Sequence, residues 1–76
     1  MKTIDREQVH KDFGEYIAIE RRRQKLFQSE LADKVGISQS YLSRMENGQR
    51  EIDLSDAMSL CSALGIPLDD FIKKYM

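Results

Sequence analysis

Apolar residues recur along this chain at intervals of three and four, and no run alternates apolar with polar at intervals of two. The first period stacks side chains on one face of a helix, and the missing second period leaves no half-buried strand. Five helices are predicted. The first spans about 6–24, with Val9, Phe13, Tyr16, Ile17 and Glu20 sharing a face. The second is short, 28–35, with Leu31, Ala32 and Val35 inward; Gly36 follows, where a helix end favours a left-handed residue that glycine adopts cheaply. The third spans 39–47, with Leu42 and Met45 inward, Ser38 as its natural N-cap and Gly48 at its end. The fourth, 54–64, opens at Asp53, stops at Gly65 and carries Ala57, Leu60, Cys61 and Leu64 at i, i+3, i+4 and i+7. The fifth, 68–75, repeats that spacing in Leu68, Phe71, Ile72 and Tyr75, and Pro67 suits its opening, where no N–H is needed. The expected architecture is all-α: one compact five-helix domain over 1–76, in which 1–12 extends the first helix towards the N-terminus. At 76 residues the chain has material for one small core and not for two.

The stretch 28–47, QSELADKVGISQSYLSRMEN, carries the chemistry. Two short helices joined by a glycine corner must cross steeply. Ala32 leaves room for close approach, Gly36 makes the corner, and Val35, Leu42 and Met45 anchor the pair. The outer face of the second of these helices is then left free. It presents Gln39, Ser40, Ser43 and Arg44, hydrogen-bonding side chains rather than the Glu/Lys mixture of an ordinary solvated face. Glutamine suits adenine edges and arginine suits guanine edges, each through two parallel hydrogen bonds. A helix so furnished is expected to enter the major groove of double-stranded DNA.

Net charge at first opposes that reading, since the chain totals -1. Its distribution restores it. Residues 21–50 hold seven Lys/Arg against three Asp/Glu, whereas both flanks are acidic. Only the DNA-reading face itself has to be positive.

These residues resemble the lambda-repressor-like helix-turn-helix proteins of the Xre or Cro type. The likeness covers nearly everything from Phe13 to Tyr75 and rests on FGEYI in the first helix, QSELADKVGISQSYLSRMENGQR in the centre and SLCSALGIPLDDF at the end. It implies a domain whose third helix enters the major groove, two copies reading a near-palindromic operator. It implies base contacts from Gln39, Ser40, Ser43 and Arg44. Gln28 would brace the DNA backbone and the first recognition residue. Asn47, Gln49 and Arg50 would hold a phosphate through main-chain N–H groups and side chains, with Ser38 and Tyr41 as further backbone contacts. It also implies a partly buried ion pair, Arg21 with Glu46, linking the first helix to the end of the third. Tyr41 has three readings: a phosphate contact, a thymine-methyl contact, or a cover for the helix stem.

Three departures stand out. Phe27 occupies the place of a capping Ser or Thr, so that cap is lost, and the ring either packs on a neighbour or lies exposed. Glu20 replaces a residue that is often apolar and is expected at the edge of the core, near Arg23 or another cation. The acidic residues of 1–12 would be awkward beside phosphate, so that extension is expected away from the DNA.

The remaining candidates have plainer readings. His10 with Cys61 falls short of a metal site needing four ligands, and Cys61 lies on the apolar stripe of the fourth helix. Asp53, Asp56, Asp69 and Asp70 lie in the first turns of helices, where negative charge complements the macrodipole. Arg21, Arg22 and Arg23 form either a nucleic-acid patch or a solvated face. Leu68, Phe71, Ile72 and Tyr75 form either core alone or, as the leading expectation, the interface of a homodimer, because operator symmetry mirrors protein symmetry; Tyr16 and Ile19 offer a second apolar patch. No catalytic motif, cofactor motif, small-molecule site or metal site is read. The lone cysteine, the charged N-terminus and the lack of a membrane-length apolar run make the expected setting cytoplasmic. The leading expectation is a transcriptional regulator, a repressor, acting by occupancy. The alternative is an antitoxin or adaptor of the same fold, acting mainly through a protein partner.

Overall fold

The computed structural model describes residues 3–76; Met1 and Lys2, the start of the expected 1–12 extension, lie outside the described residues. Helices α1 (Arg6–Arg23), α2 (Gln28–Val35), α3 (Gln39–Glu46), α4 (Leu54–Leu64) and α5 (Leu68–Lys73) follow in order, with no strand among the described residues. The all-α expectation holds, and α2 and α4 begin and end as predicted.

Local chemistry accounts for most boundaries. The Asp5, Ser38 and Asp53 side chains each accept from an N–H in the first turn of α1, α3 and α4. Gly36 and Gly65 end α2 and α4 in the left-handed conformation, at φ 75° and 68°. The other ends differ slightly from the prediction. Helix α1 stops at Arg23, one residue early, because Lys25 takes a left-handed turn at φ 60° without being glycine. Helix α3 stops at Glu46, with Asn47 as its C-cap. Helix α5 stops at Lys73, two residues early: Tyr75 and Met76 donate to carbonyls three residues back, a tighter turn than the α-helical one.

The core is shared by all five helices. Ile17, Leu31, Leu42, Met45 and Leu60 are fully buried, ringed by Phe13, Ala32, Ile52, Ala57, Cys61, Leu64 and Phe71. Val35, expected inward, is only partly buried. Two small residues on α1, Gly14 and Ala18, are buried although neither belongs to its apolar stripe. Gly14 lies directly beneath the end of α3, where a Cβ would overlap the Met45 carbonyl oxygen and stand 3.2 Å from the Glu46 carbonyl carbon. Backbone cannot swing aside as a side chain can. Gly14→Ala is therefore expected to destabilise the fold by about 1–3 kcal/mol despite alanine's better helix propensity. In a thermal melt Tm should fall by roughly 5–20 °C; an unchanged or higher Tm would mean that α1 and α3 do not approach this closely.

Helix α5 is held onto α1 by an aromatic cluster. The Phe71 ring meets Phe13 edge-on at 5.0 Å between centroids and lies 5.4 Å from both Tyr16 and Tyr75. The Tyr16 hydroxyl donates to the Pro67 carbonyl at 3.0 Å, and the Tyr75 hydroxyl donates to the Asp12 carboxylate. That bond helps hold the Asp12 carboxyl below its ordinary range, while burial and then the same carboxylate push the Tyr75 phenol up to about 12.

The four residues of the α5 stripe differ in burial. Phe71 is 6% exposed, so its ring belongs to its own chain's core. Leu68 and Tyr75 are half-buried, and Ile72 alone of the four stands exposed.

Candidate nucleic-acid interface

Helix α3 is short, and its orientation is set by what holds its inner face. Leu42 and Met45 are buried there, and Ser38 Oγ accepts from the Tyr41 N–H at 3.1 Å. The corner before it is closed by the Ile37 N–H, which donates to the Ala32 carbonyl at 3.0 Å around left-handed Gly36. Helix α2 starts without a side-chain cap at exposed Phe27, which has no acceptor to offer. The reverse bond survives: the Phe27 N–H donates to Glu30 Oε1 at 2.8 Å.

The end of α3 is fastened to α1. The Arg21 guanidinium grips the Glu46 carboxylate with two bonds, Nε to Oε2 at 2.8 Å and Nη2 to Oε1 at 2.9 Å. Both residues are 8% exposed. Arg21 Nη1 also donates to the Leu26 carbonyl at 2.8 Å, and Gln28 Nε2 donates to Glu46 Oε1 at 2.9 Å. The expected ion pair is present. Gln28 completes it by donating from its amide nitrogen to Glu46.

With α3 held from behind, its outer face is left open. Gln39, Ser40 and Arg44 are exposed and Ser43 is half-buried. None of these four side chains makes a hydrogen bond or ion pair among the described residues. The expected base-reading residues thus lie together on one free surface. Ser38, Asn47, Gln49 and Arg50 are exposed beside them. Arg44, Gln49 and Arg50 border an open hollow of about 540 Å³, also lined by Tyr41, Glu51, Ile52 and Asp53.

Tyr41 packs between α3 and the start of α4. It is half-buried, its hydroxyl donates to the Asp56 carboxylate on α4, and its ring lies 4.3 Å from the Arg50 guanidinium carbon. Of its three readings, this geometry fits the stem cover: the ring forms a platform that holds Arg50 towards solvent.

The loop after α3 has its own hydrogen-bond pattern. The main-chain N–H groups of Asn47, Gly48 and Gln49 already donate to carbonyls of Ser43, Met45 and Arg44. The Ile52 N–H donates to His10 Nδ1 at 3.0 Å. The N–H groups of Arg50, Glu51 and Asp53 make no hydrogen bond among the described residues. His10 accepts from a peptide group, and burial pushes the Cys61 thiol above its ordinary range, away from nucleophilic thiolate. The other expected positions are found: Glu20 at the edge of the core pairs with Arg23 at 2.7 Å, and Phe27 is 74% exposed.

Sequence reasoning missed the close approach at Gly14 and the His10–Ile52 bond. The first had a signal, small residues four apart at 14 and 18. The second had none, because it joins residues 42 positions apart. No described helix is long and apolar enough to cross a membrane.

Known proteins share this arrangement. A family model described as helix-turn-helix matches residues 17–71. The restriction-modification controller protein C.AhdI from Aeromonas hydrophila superposes with TM-score 0.81 at 29% identity, covering 90% of this chain and 99% of that one. Two structures of the clp gene regulator ClgR from Corynebacterium glutamicum superpose at 27% identity, each covering 87% of this chain. One has TM-score 0.80 and is covered over 85% of its length; the other has TM-score 0.81 and is covered over 70%. No curated protein matches the chain in sequence.

Proposed function

This chain belongs to the lambda-repressor/Xre-type helix-turn-helix family of DNA-binding transcription regulators, and on that premise we propose that it is a repressor that reads a near-palindromic operator as a homodimer. One observation carries the reading: among the described residues Gln39, Ser40, Ser43 and Arg44 are unpaired, on the free face of a helix whose other face is locked into the core. Side chains that satisfy nothing within their own chain are available to base edges. Gln39 matches an adenine edge and Arg44 a guanine edge through paired hydrogen bonds, and Ser40 and Ser43 add single ones. Asn47, Gln49 and Arg50 hold the flanking phosphates, with Ser38 at the start of the helix. The domain spans the whole chain, and it acts by occupying its site, without chemistry of its own and without a bound cofactor.

Two copies place two α3 helices in successive major grooves, about one helical turn apart. Ile72, Leu54 and Met58 are exposed apolar residues of α4 and α5. Leu54 and Ile72 rim an apolar hollow that also touches Val9 and Leu68. In this reading the second chain covers that face, with Phe71 behind it as support.

Selection of bound duplexes from a random library, at about physiological salt, tests the proposal. A near-palindrome should be enriched, and Gln39→Ala/Arg44→Ala should lose it. On the selected site Arg44→Ala should cost about 1–3 kcal/mol and relax the preference at its base pair. The exposed Phe27 and Ile19 favour a second reading, a module acting through a protein partner. A folded protein that enriches no duplex would turn the assignment to that one.

A further inference from the structure

The acidic residues of the N-terminal extension were expected away from DNA, yet one of its cations lies at the loop that follows α3. Lys11 crosses Gly48, the residue that turns the chain out of α3. A Cβ placed on Gly48 would stand 2.5 Å from Lys11 Cγ and 3.2 Å from its Cα and Cβ. Gly48 also has φ 72°, so the turn and the close crossing both require glycine. The Lys11 stem is thereby laid along the backbone of the turn.

Its ammonium group has no partner among the described residues. Glu7 and Glu15 stand one helical turn to either side, but Lys11 makes no ion pair among the described residues. Glu51, the other carboxylate nearby, is engaged by Arg6 at 3.6 Å. Lys11, Gly48, Gln49 and Arg50 border one open hollow of about 340 Å³ together with Glu7, His10 and Glu51. Arg50 also borders the hollow that contains Arg44. A continuous exposed path therefore runs from Arg44 on the recognition helix, past Arg50, to Lys11 on α1.

We propose that Lys11 is a phosphate-binding residue of the DNA complex, extending from α1 the backbone contact made by Gln49 and Arg50. The proposal rests on the DNA-binding reading above. The ligand is a phosphodiester of the same duplex, because the path is continuous with the base-reading face. The glycine crossing matters because it lets a residue of α1 reach this far round the end of α3. A lysine suits the task, since a phosphate beyond the groove calls for a point charge on a long stem rather than a fixed fork.

The test is the salt dependence of affinity, measured by fluorescence anisotropy with the full chain on the selected duplex and on an unrelated one. Each phosphate neutralised contributes about 0.9 to the slope of log affinity against log salt. Lys11→Gln, which removes one such contact from each of the two copies, should lower that slope by about two units on both duplexes, so that its deficit shrinks by about tenfold between roughly 50 and 200 mM salt. Lys11→Arg should keep the wild-type slope, which separates loss of charge from loss of packing on Gly48. Lys73→Gln, on α5 beside Asp69 and Asp70, should change nothing. If Arg50→Gln lowers the slope and Lys11→Gln does not, the Lys11 assignment is overturned while the DNA-binding reading stands. If the wild type shows no salt-dependent duplex binding, both are overturned together.

Discussion

Glu46→Ala should lower the unfolding free energy by about 3–5 kcal/mol, the cost of breaking a buried ion pair from one side. A chain of this size has only about 4–11 kcal/mol in all. The cost arises from what is left behind. Glu46 accepts from Arg21 Nε, Arg21 Nη2 and Gln28 Nε2, all within 2.9 Å. Without it the guanidinium of Arg21, a residue 8% exposed, keeps one bond, to the Leu26 carbonyl, and little water can reach the rest. The consequence extends to function, because this carboxylate ties the end of α3 to α1 and to the start of α2. Urea denaturation of Glu46→Ala, Arg21→Ala and the double variant would measure the coupling. The double variant should be more stable than the sum of the single losses predicts, since it strands no charge. Losses below about 1 kcal/mol, typical of an exposed pair, would show that the site is wet.

Phe71→Ala is the second large effect, about 3–5 kcal/mol of lost stability. The ring fills the seam between α1 and α5, edge-on to Phe13 and beside Tyr16 and Tyr75. Helix α5 is only six residues long, too short to be stable by itself, so its position depends on this contact. Emptying the seam should lower Tm in melts at dilute protein, where association contributes nothing. Ile72→Asp should behave in the opposite way. Ile72 is 41% exposed, so its substitution should leave the dilute melt in place and shift the monomer–dimer equilibrium in sedimentation velocity. If Phe71→Ala melts like the wild type at low concentration but no longer associates, Phe71 is an interface residue after all.

The contrast between these neighbours shows what can be read from spacing. Leu68, Phe71, Ile72 and Tyr75 carry the same helical spacing, and all four qualify for one apolar face. Spacing defines a stripe wider than any single contact surface. Where its centre lies depends on how α5 rolls against α1, and the rings of Phe13 and Tyr16 decide that. Gln28 behaves similarly. Its place at the start of α2 was legible, but the Glu46 carboxylate that captures its amide comes from a residue 18 positions away. Tyr41 is drawn aside by Asp56, 15 positions away.

The sequence by itself determined the features that act within about one helical turn. These are the caps at Ser38 and Asp53, the left-handed ends at Gly36 and Gly65, the bounds of α2 and α4, and the polar face of Gln39, Ser40, Ser43 and Arg44. Such signals are hydrogen bonds and steric limits between residues three or four apart, so they are written in adjacent letters. Only the tertiary structure decided that Phe71 faces inward, that His10 accepts from Ile52, that Gly14 admits the end of α3, and that Lys11 lies across Gly48. Each of these depends on the distance and angle at which two helices pack. Those are settled by the whole core at once, through the mutual fit of Ile17, Leu31, Leu42, Met45 and Leu60, and no local pattern encodes them.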